Sequence, residues 1–365
     1  MKPLAALALG VVTLAAPVGA ASPPSAGFEV EVLLERRDVI WGFDFLPDGR
    51  IILTERGGRV ALFDPKAKRA QEVKGAPEVF ARGQGGLLDV RVHPRFSENR
   101  WIYLTYSEPV GKKATTALAR ARLEGHELKG LQRLFSAREP SEQEIHFGSR
   151  LEFDGPHLFM TVGERNDRRT AQVLERHTGK ILRLTHDGTA AEGNPFAGRP
   201  GALPEIWSLG HRNPQGLALR PGTGELWSAE FGPRGGDELN RIRPGANYGW
   251  PVITYGREYW GPRIGEGTEK EGLERPVSQW TPSISPSGLA FYEGKAFPAW
   301  RGNAFLACLS GNQLRRVAFK GGQVAEQEVL LGERGWRFRH VRQGPDDLLY
   351  FSTDEGKLGR LSPKP

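Results

Sequence analysis

Four short segments of the 365-residue chain carry polar side chains where a strand core would be apolar. Gln84 stands in Arg-Gly-Gln-Gly-Gly-Leu, His146 in Ile-His-Phe-Gly-Ser-Arg-Leu, Arg212 and Asn213 in Gly-His-Arg-Asn-Pro-Gln-Gly-Leu, and Arg337 and Arg339 in Trp-Arg-Phe-Arg-His-Val. Together they offer one imidazole, a pair of amides and three guanidiniums. A histidine met alone is most often a satisfied core or surface group. Beside a guanidinium and an amide, His146 becomes a candidate general base, because it alone of the set accepts a proton near neutral pH. Arg337 and Arg339, two residues apart, point the same way from a strand. Facing an axis they would repel unless an anion lay between them, which favours an anionic ligand such as a polycarboxylate. The competing reading is a structural ion-pair network with Asp and Glu of neighbouring blades. A further segment, Ala229-Glu-Phe-Gly-Pro-Arg-Gly-Gly-Asp-Glu-Leu-Asn240, holds a Gly232-Pro233 turn whose carbonyls stand outside any ladder. Carbonyls beside carboxylates are the hard oxygen ligands that Ca²⁺ takes. Such turns are common, and Asp237 and Glu238 are equally readable as solvated.

These segments converge only if the fold is radial. One phrase recurs: an apolar strand, a Pro-Asp-Gly or similar turn, a second strand, a charged or Gly turn, and a third. It runs through Trp41–Thr54 with Arg59–Phe63, then Gly86–Pro94 with Trp101–Tyr106 and Thr116–Leu123. Gly148–Phe153 with His157–Val162 and Gly179–Leu184 repeats it, as do Gln215–Pro221 with Glu225–Ala229 and Glu238–Ile242. The last copies are Gly288–Tyr292 with Asn303–Cys308 and Gln313–Phe319, and Arg339–Gln343 with Leu348–Ser352 and Gly359–Leu361. Units spaced by about 45 to 70 residues, none able to bury its face alone, predict an all-β, six-bladed β-propeller. Phe28–Leu34 is expected to complete the last blade and seal the ring. The polar segments above precede or begin first strands, which line the axis, so they converge on one mouth. Long aromatic-rich stretches after blade three (Asp187–Pro204) and after blade four (Gly245–Gln279) are expected to wall a pocket there.

Composition agrees. Gly (47) and Pro (27) together are too abundant for a helix bundle and suit many turns between short strands. The net charge of +7 comes from 50 basic and 43 acidic residues interleaved along the chain, with no basic run that would track nucleic acid. Arg dominates, and its planar fork reads carboxylates better than Lys does. Cys308, the one cysteine, lies in an apolar run and reads as a buried, inert thiol. Residues 1–21 have a short positive start, an Ala-rich apolar stretch and small residues before a cleavage point, the pattern of a signal peptide. The expected mature protein, 22–365, is one propeller without a membrane span, periplasmic or secreted, and monomeric or homodimeric.

Taken jointly, Gln84, His146-Phe-Gly-Ser-Arg-Leu, Gly210-His-Arg-Asn-Pro-Gln-Gly-Leu217, Glu230-Phe-Gly-Pro-Arg-Gly-Gly-Asp-Glu-Leu-Asn240, Asn247-Tyr-Gly-Trp-Pro251 and Arg337-Phe-Arg339 resemble the soluble pyrroloquinoline quinone (PQQ)-dependent glucose and aldose sugar dehydrogenases. The likeness runs from about Phe28 to Leu361 in matching order, and it too implies a six-bladed propeller. It implies His146 as the base for the sugar C1 hydroxyl, Gln84 near that oxygen, and Arg212 and Asn213 at the quinone oxygens. Arg337 and Arg339 would anchor the cofactor carboxylates. The Gly232 and Pro233 carbonyls would hold the Ca²⁺ that polarises the quinone, and Glu238 and Tyr248 would contribute to a second, structural Ca²⁺ site. Electrons from the aldose would pass to an external acceptor. Two departures stand out. Ile145 replaces an Asp that contacts the sugar in the glucose enzyme, which favours a broad aldose substrate. Leu309-Ser310-Gly311-Asn312 lacks a cofactor-binding Lys of blade five. The alternatives are a Ca²⁺-dependent propeller lactonase or other hydrolase, and a non-catalytic binding propeller.

Overall fold

Apolar and polar residues alternate along short segments, and each segment pairs with the next through a tight turn. In the computed structural model, which describes residues 27–364, the result is six four-stranded antiparallel sheets. The expected signal peptide lies outside the described residues. The first strands, Ile40–Phe45, Leu87–Val92, Leu151–Asp154, Pro214–Arg220, Pro286–Phe291 and Phe338–Gln343, pack against one another around an axis. Phe28–Glu35 pairs with Lys357–Pro363, with Phe28 opposite Pro363 and Glu35 opposite Lys357, so the chain's start closes the blade made by its end. This is the six-bladed propeller read from the repeats. Among the described residues no helix is long and apolar enough to cross a membrane.

Three details differ from the sequence reading. Each of the first five blades has an outer strand that the repeat did not reveal: Arg69–Val73, Glu127–Ser136, Ile206–Leu209, Ser278–Trp280 and Gln323–Leu330. In Arg69–Val73 only Val73 is buried, so the segment has no apolar rhythm to read. The two long loops lie within blades three and four, before their outer strands, and not between blades. Only one of them reaches the mouth. Lys180–Thr185 starts beside Val162 at the end where His146 lies and finishes beside His157 at the other, so Asp187–Pro204 leaves from the far end. The stretch from Gly245 climbs back along the blade, where Tyr248 N–H donates to the Leu209 carbonyl and Trp250 N–H to that of Gly210.

Apolar clusters fill the wedges between blades, for instance Ile52, Val60 and Leu62 against Val90, Ile102 and Leu104. Cys308 sits in such a wedge, fully buried, its thiol pushed well up by desolvation. The axis itself is polar. Arg150, buried, forms an ion pair with Asp89 of blade two at 2.8 Å and donates to the Gln215 carbonyl of blade four (2.8 Å) and the Ser287 carbonyl of blade five (3.0 Å). Its guanidinium lies 4.3 Å from the ring centre of Trp41 in blade one. Desolvation pulls its pKa down to about 10, yet it stays charged at neutral pH. The other Asp89 oxygen takes the Leu151 N–H (2.9 Å). Below it a second layer repeats the device, with Arg91 between Asp44 (3.2 Å) and Glu152 (2.7 Å). Gly288 permits the blade five to six approach, because a Cβ there would stand 2.9 Å from the Cα of His340.

Removing Arg150 would leave Asp89 charged, buried and unpaired, a loss of about 3–5 kcal/mol. Arg150→Met is therefore expected to lower the midpoint of denaturant unfolding strongly. A stability change below about 1 kcal/mol would show that the axial pair is not a structural tie.

Candidate active site

His146 precedes the first strand of blade three and takes a left-handed backbone conformation, φ +58°. For a non-glycine residue that costs about 1–3 kcal/mol and persists only where neighbours enforce it. Here Gln84 Oε1 accepts the His146 N–H at 2.9 Å, and Arg165 Nε donates to the Ile145 carbonyl at 2.9 Å. Arg165 is itself stacked on Phe147, 3.6 Å from the ring centre, and burial pulls its pKa down to about 10. The imidazole is buried, and its Nδ1 makes a short hydrogen bond to Glu164 Oε1. With Nδ1–H directed at a carboxylate, Nε2 carries the lone pair, the tautomer a general base needs. Burial, and after it the Arg212 and Arg165 charges, lower the His146 pKa, while Glu164 opposes them. The imidazole is neutral at pH 7. Glu164 rides on the loop between the second and third strands of blade three. Buried Lys180 pins that loop by donating to the carbonyls of Thr170 (2.9 Å), Ala171 (3.1 Å) and Thr178 (2.8 Å).

Blade four brings Arg212 and Asn213 to the same mouth. The Glu164 N–H donates to the Arg212 carbonyl (2.8 Å), and Asn213 Oδ1 accepts the Gly148 N–H (3.1 Å). Asn213 Nδ2 is buried without a partner among the described residues, a donor that the fold does not use. The Arg212 guanidinium donates to the carbonyls of Phe231 (3.2 Å) and Gly232 (3.0 Å) and lies 5.4 Å from the Trp250 ring centre. Glu230 holds its backbone, taking the Arg212 N–H at 2.7 Å and His211 Nδ1 at 2.8 Å.

The Gly-Pro turn is built as a carbonyl presenter. Asp237 is buried and not solvated: its carboxylate accepts the N–H groups of Gly232 (2.8 Å), Ile284 (2.6 Å) and Ser285 (2.7 Å). Gly232 has no room for a Cβ, which would stand 2.2 Å from the Gly235 carbonyl. A cavity of about 10 Å³, room for one water or one ion, is bordered by Gly232, Glu230 and Glu238. Desolvation, and next the charge of Glu230, push the Glu238 pKa up to about 8. Two carboxyls around one small space suit a bound cation, which would restore Glu238 to the ionised form. Tyr248 stands apart: its hydroxyl donates to the Arg241 carbonyl (2.6 Å) and accepts the Arg243 N–H (2.9 Å), while its ring stacks on His211. The phenol is therefore not directed at Glu238.

Arg337 and Arg339 do not confront each other across an open axis. Asp354 lies between them, at 3.1 Å from Arg337 Nε and 2.8 Å from Arg339 Nε. The anion that their spacing called for is a residue of their own blade, which the sequence reading missed. Arg339 also donates to Gln215 Oε1 (3.0 Å) and Ser287 Oγ (3.2 Å), tying blade six to the axial network. Arg337 remains half exposed, and its backbone N–H donates to the Glu355 carboxylate (3.2 and 3.3 Å), so two acids stand beside the two guanidiniums. Beside the Gly-Pro turn opens a cavity of about 760 Å³, lined by Pro233, Arg257, Tyr259, Ser283 and Ser310 among others. Its size suits a small organic molecule. Among the described residues no three or more His, Cys, Asp or Glu side chains converge as a metal site, so an ion here would draw on main-chain oxygens.

Glu164 raises the His146 pKa, so neutralising it removes that support. In an NMR titration, His146 should protonate below the free-histidine range, and Glu164→Gln should move its midpoint lower still. A midpoint that rises in the variant would contradict the assigned pairing.

The sequence profile described as glucose/sorbosone dehydrogenase matches residues 37–361. The chain is 42% identical over 349 residues to the aldose sugar dehydrogenase YliI of Escherichia coli K12, covering 93% of this chain and 94% of that one. It is 31% identical over 422 residues to quinoprotein glucose dehydrogenase B of Acinetobacter calcoaceticus, covering 92% and 87%. Among solved structures, the soluble aldose sugar dehydrogenase of Escherichia coli in its apo-form superposes with a TM-score of 0.89 at 41% identity, over 92% of this chain and all of that one. The PQQ-bound form of the aldose sugar dehydrogenase from Streptomyces coelicolor gives 0.78 at 30% identity, over 94% and all. A polar-lined mouth on a six-bladed propeller, matched across nearly its whole length, places the chain in the glucose/sorbosone dehydrogenase family of oxidoreductases.

Proposed function

We propose that the protein oxidises aldoses at C1 to aldonolactones, using PQQ as hydride acceptor with Ca²⁺ beside it. The observation that carries this reading is the His146–Glu164 pair, with Nε2 unprotonated, at one mouth with Arg212 and the unpartnered Asn213 amide. PQQ, when bound, supplies an electrophilic quinone that takes up a hydride, two electrons in all. The chain's residues handle the rest. His146 accepts the C1 hydroxyl proton at Nε2, so that loss of hydride from C1 leaves a neutral lactone carbonyl. Glu164 stabilises the imidazolium that forms. Gln84 holds the His146 backbone, which makes it a positioning residue as well as a neighbour of the sugar oxygen. Arg212 and Asn213 donate to oxygens that gain negative charge. Arg337, half exposed, and Arg339 would anchor the cofactor carboxylates.

The donor set fits this cofactor and ion. Main-chain oxygens of Gly232 and Pro233 would hold Ca²⁺ near the quinone, and that ion would take the Gly232 carbonyl over from Arg212. Glu238 would serve the second ion together with Glu230, and Tyr248 only through its main chain. Export through the leader would put the enzyme in the periplasm or medium, where an external acceptor collects the electrons.

Purified protein supplied with PQQ and Ca²⁺ is expected to reduce an artificial electron-acceptor dye with several aldoses. Chelation should abolish the activity and Ca²⁺ should restore it. Absence of PQQ binding, together with no turnover of any aldose, would overturn the reading.

A further inference from the structure

The large cavity beside the Gly-Pro turn holds charge that the fold does not use. Arg234 and Arg257 both line it, and among the described residues neither has a carboxylate within ion-pair distance. Their polar contacts are to main-chain oxygens: Arg234 Nη1 to the Tyr259 carbonyl at 3.4 Å, Arg257 Nη1 to that of Gly261 at 3.5 Å. The acids nearby are engaged elsewhere. Glu258, next to Arg257, is gripped by both Arg168 nitrogens at 2.6 and 3.3 Å, Asp237 is spent on backbone N–H groups, and Asp354 serves Arg337 and Arg339.

The positions of the two arginines are set. The Arg234 N–H donates to the Arg257 carbonyl at 3.2 Å, a bridge joins Arg257 to Arg263 at the base of the loop tip, and the Arg168–Glu258 pair anchors that tip to blade three. Hydroxyls line the same cavity. Ser285, in a left-handed conformation at φ +52°, has its Oγ 2.7 Å from that of Ser310. Tyr259, 66% exposed, borders the opening with its ring. Two uncompensated guanidiniums, a pair of hydroxyls and an aromatic edge suit a planar polyanion, with carboxylates at the guanidiniums.

Resting on the functional reading above, we propose that Arg234 and Arg257 bind carboxylates of PQQ.

Equilibrium dialysis of PQQ against the wild type, Arg234→Gln, Arg257→Gln and the double variant tests this without turnover. Both side chains are exposed, so circular dichroism and melting should be unchanged. Each single variant is expected to weaken PQQ about tenfold, and the double variant more, with a flatter dependence on NaCl concentration. The trimethyl ester of PQQ, which lacks the charges, should bind all four proteins alike. Wild-type affinity in the double variant would overturn the inference while leaving the functional reading intact, as would an equal loss for PQQ and its ester. A rise in KM for anionic sugars alone would also overturn it, assigning the arginines to substrate. If the wild type itself binds no PQQ, the functional reading fails first.

Discussion

The architecture depends on one buried ion pair. Arg150 and Asp89 meet on the axis, and through Trp41, the Gln215 carbonyl and the Ser287 carbonyl the pair touches blades one to five, with Arg339 joining blade six. A buried pair of this kind is weak evidence for net stability, because desolvation offsets most of its Coulombic gain. Its value is positional. The fork of Arg150 has fixed angles, so the groups that accept from it must arrive at set heights along the axis. Those strands carry His146, Arg212, Asn213 and Arg339 at or just before their starts. The register of the site follows from the packing of the axis.

Above the axial pair the mouth is arranged by charge. Glu164 sets the tautomer of His146, Glu230 aligns His211 with the Arg212 backbone, and Asp237 organises the Gly-Pro turn and the Ser283–Ser285 segment. Each carboxylate acts on another group's backbone or ring and leaves the functional atom free. His146 Nε2 and Asn213 Nδ2 are thereby left uncommitted, as is the buried Glu164 Oε2. Burial lowers the pKa of His146, and the nearby guanidiniums lower it further, so the base is ready without prior loss of a proton.

Much of this was legible in the sequence. Period-two strands with turn signals announced the blades, and Gln84, His146, Arg212 and Asn213 stood out because polar groups at strand starts interrupt an apolar pattern. Three kinds of residue were not legible. Outer strands such as Arg69–Val73 are solvated and carry no alternation. Glu164 and Asp354, which complete the base and separate the arginines, sit in loops whose path only tertiary packing determines. Arg150 belongs to a segment singled out for His146, yet its own role depends on carbonyls of two distant blades. Long loops misled for a related reason: length and aromatic content mark Asp187–Pro204, but strand direction sends it to the far end.

The central claim is that the mouth's chemistry turns on His146 as the proton acceptor. The most direct test is rapid mixing of an aldose with PQQ-loaded protein, following reduction of the bound quinone in the wild type and in His146→Gln. The account predicts a reduction rate about 10²–10⁴-fold slower in the variant, with PQQ affinity nearly unchanged. Reduction at the wild-type rate in His146→Gln would contradict it and assign the proton to another group.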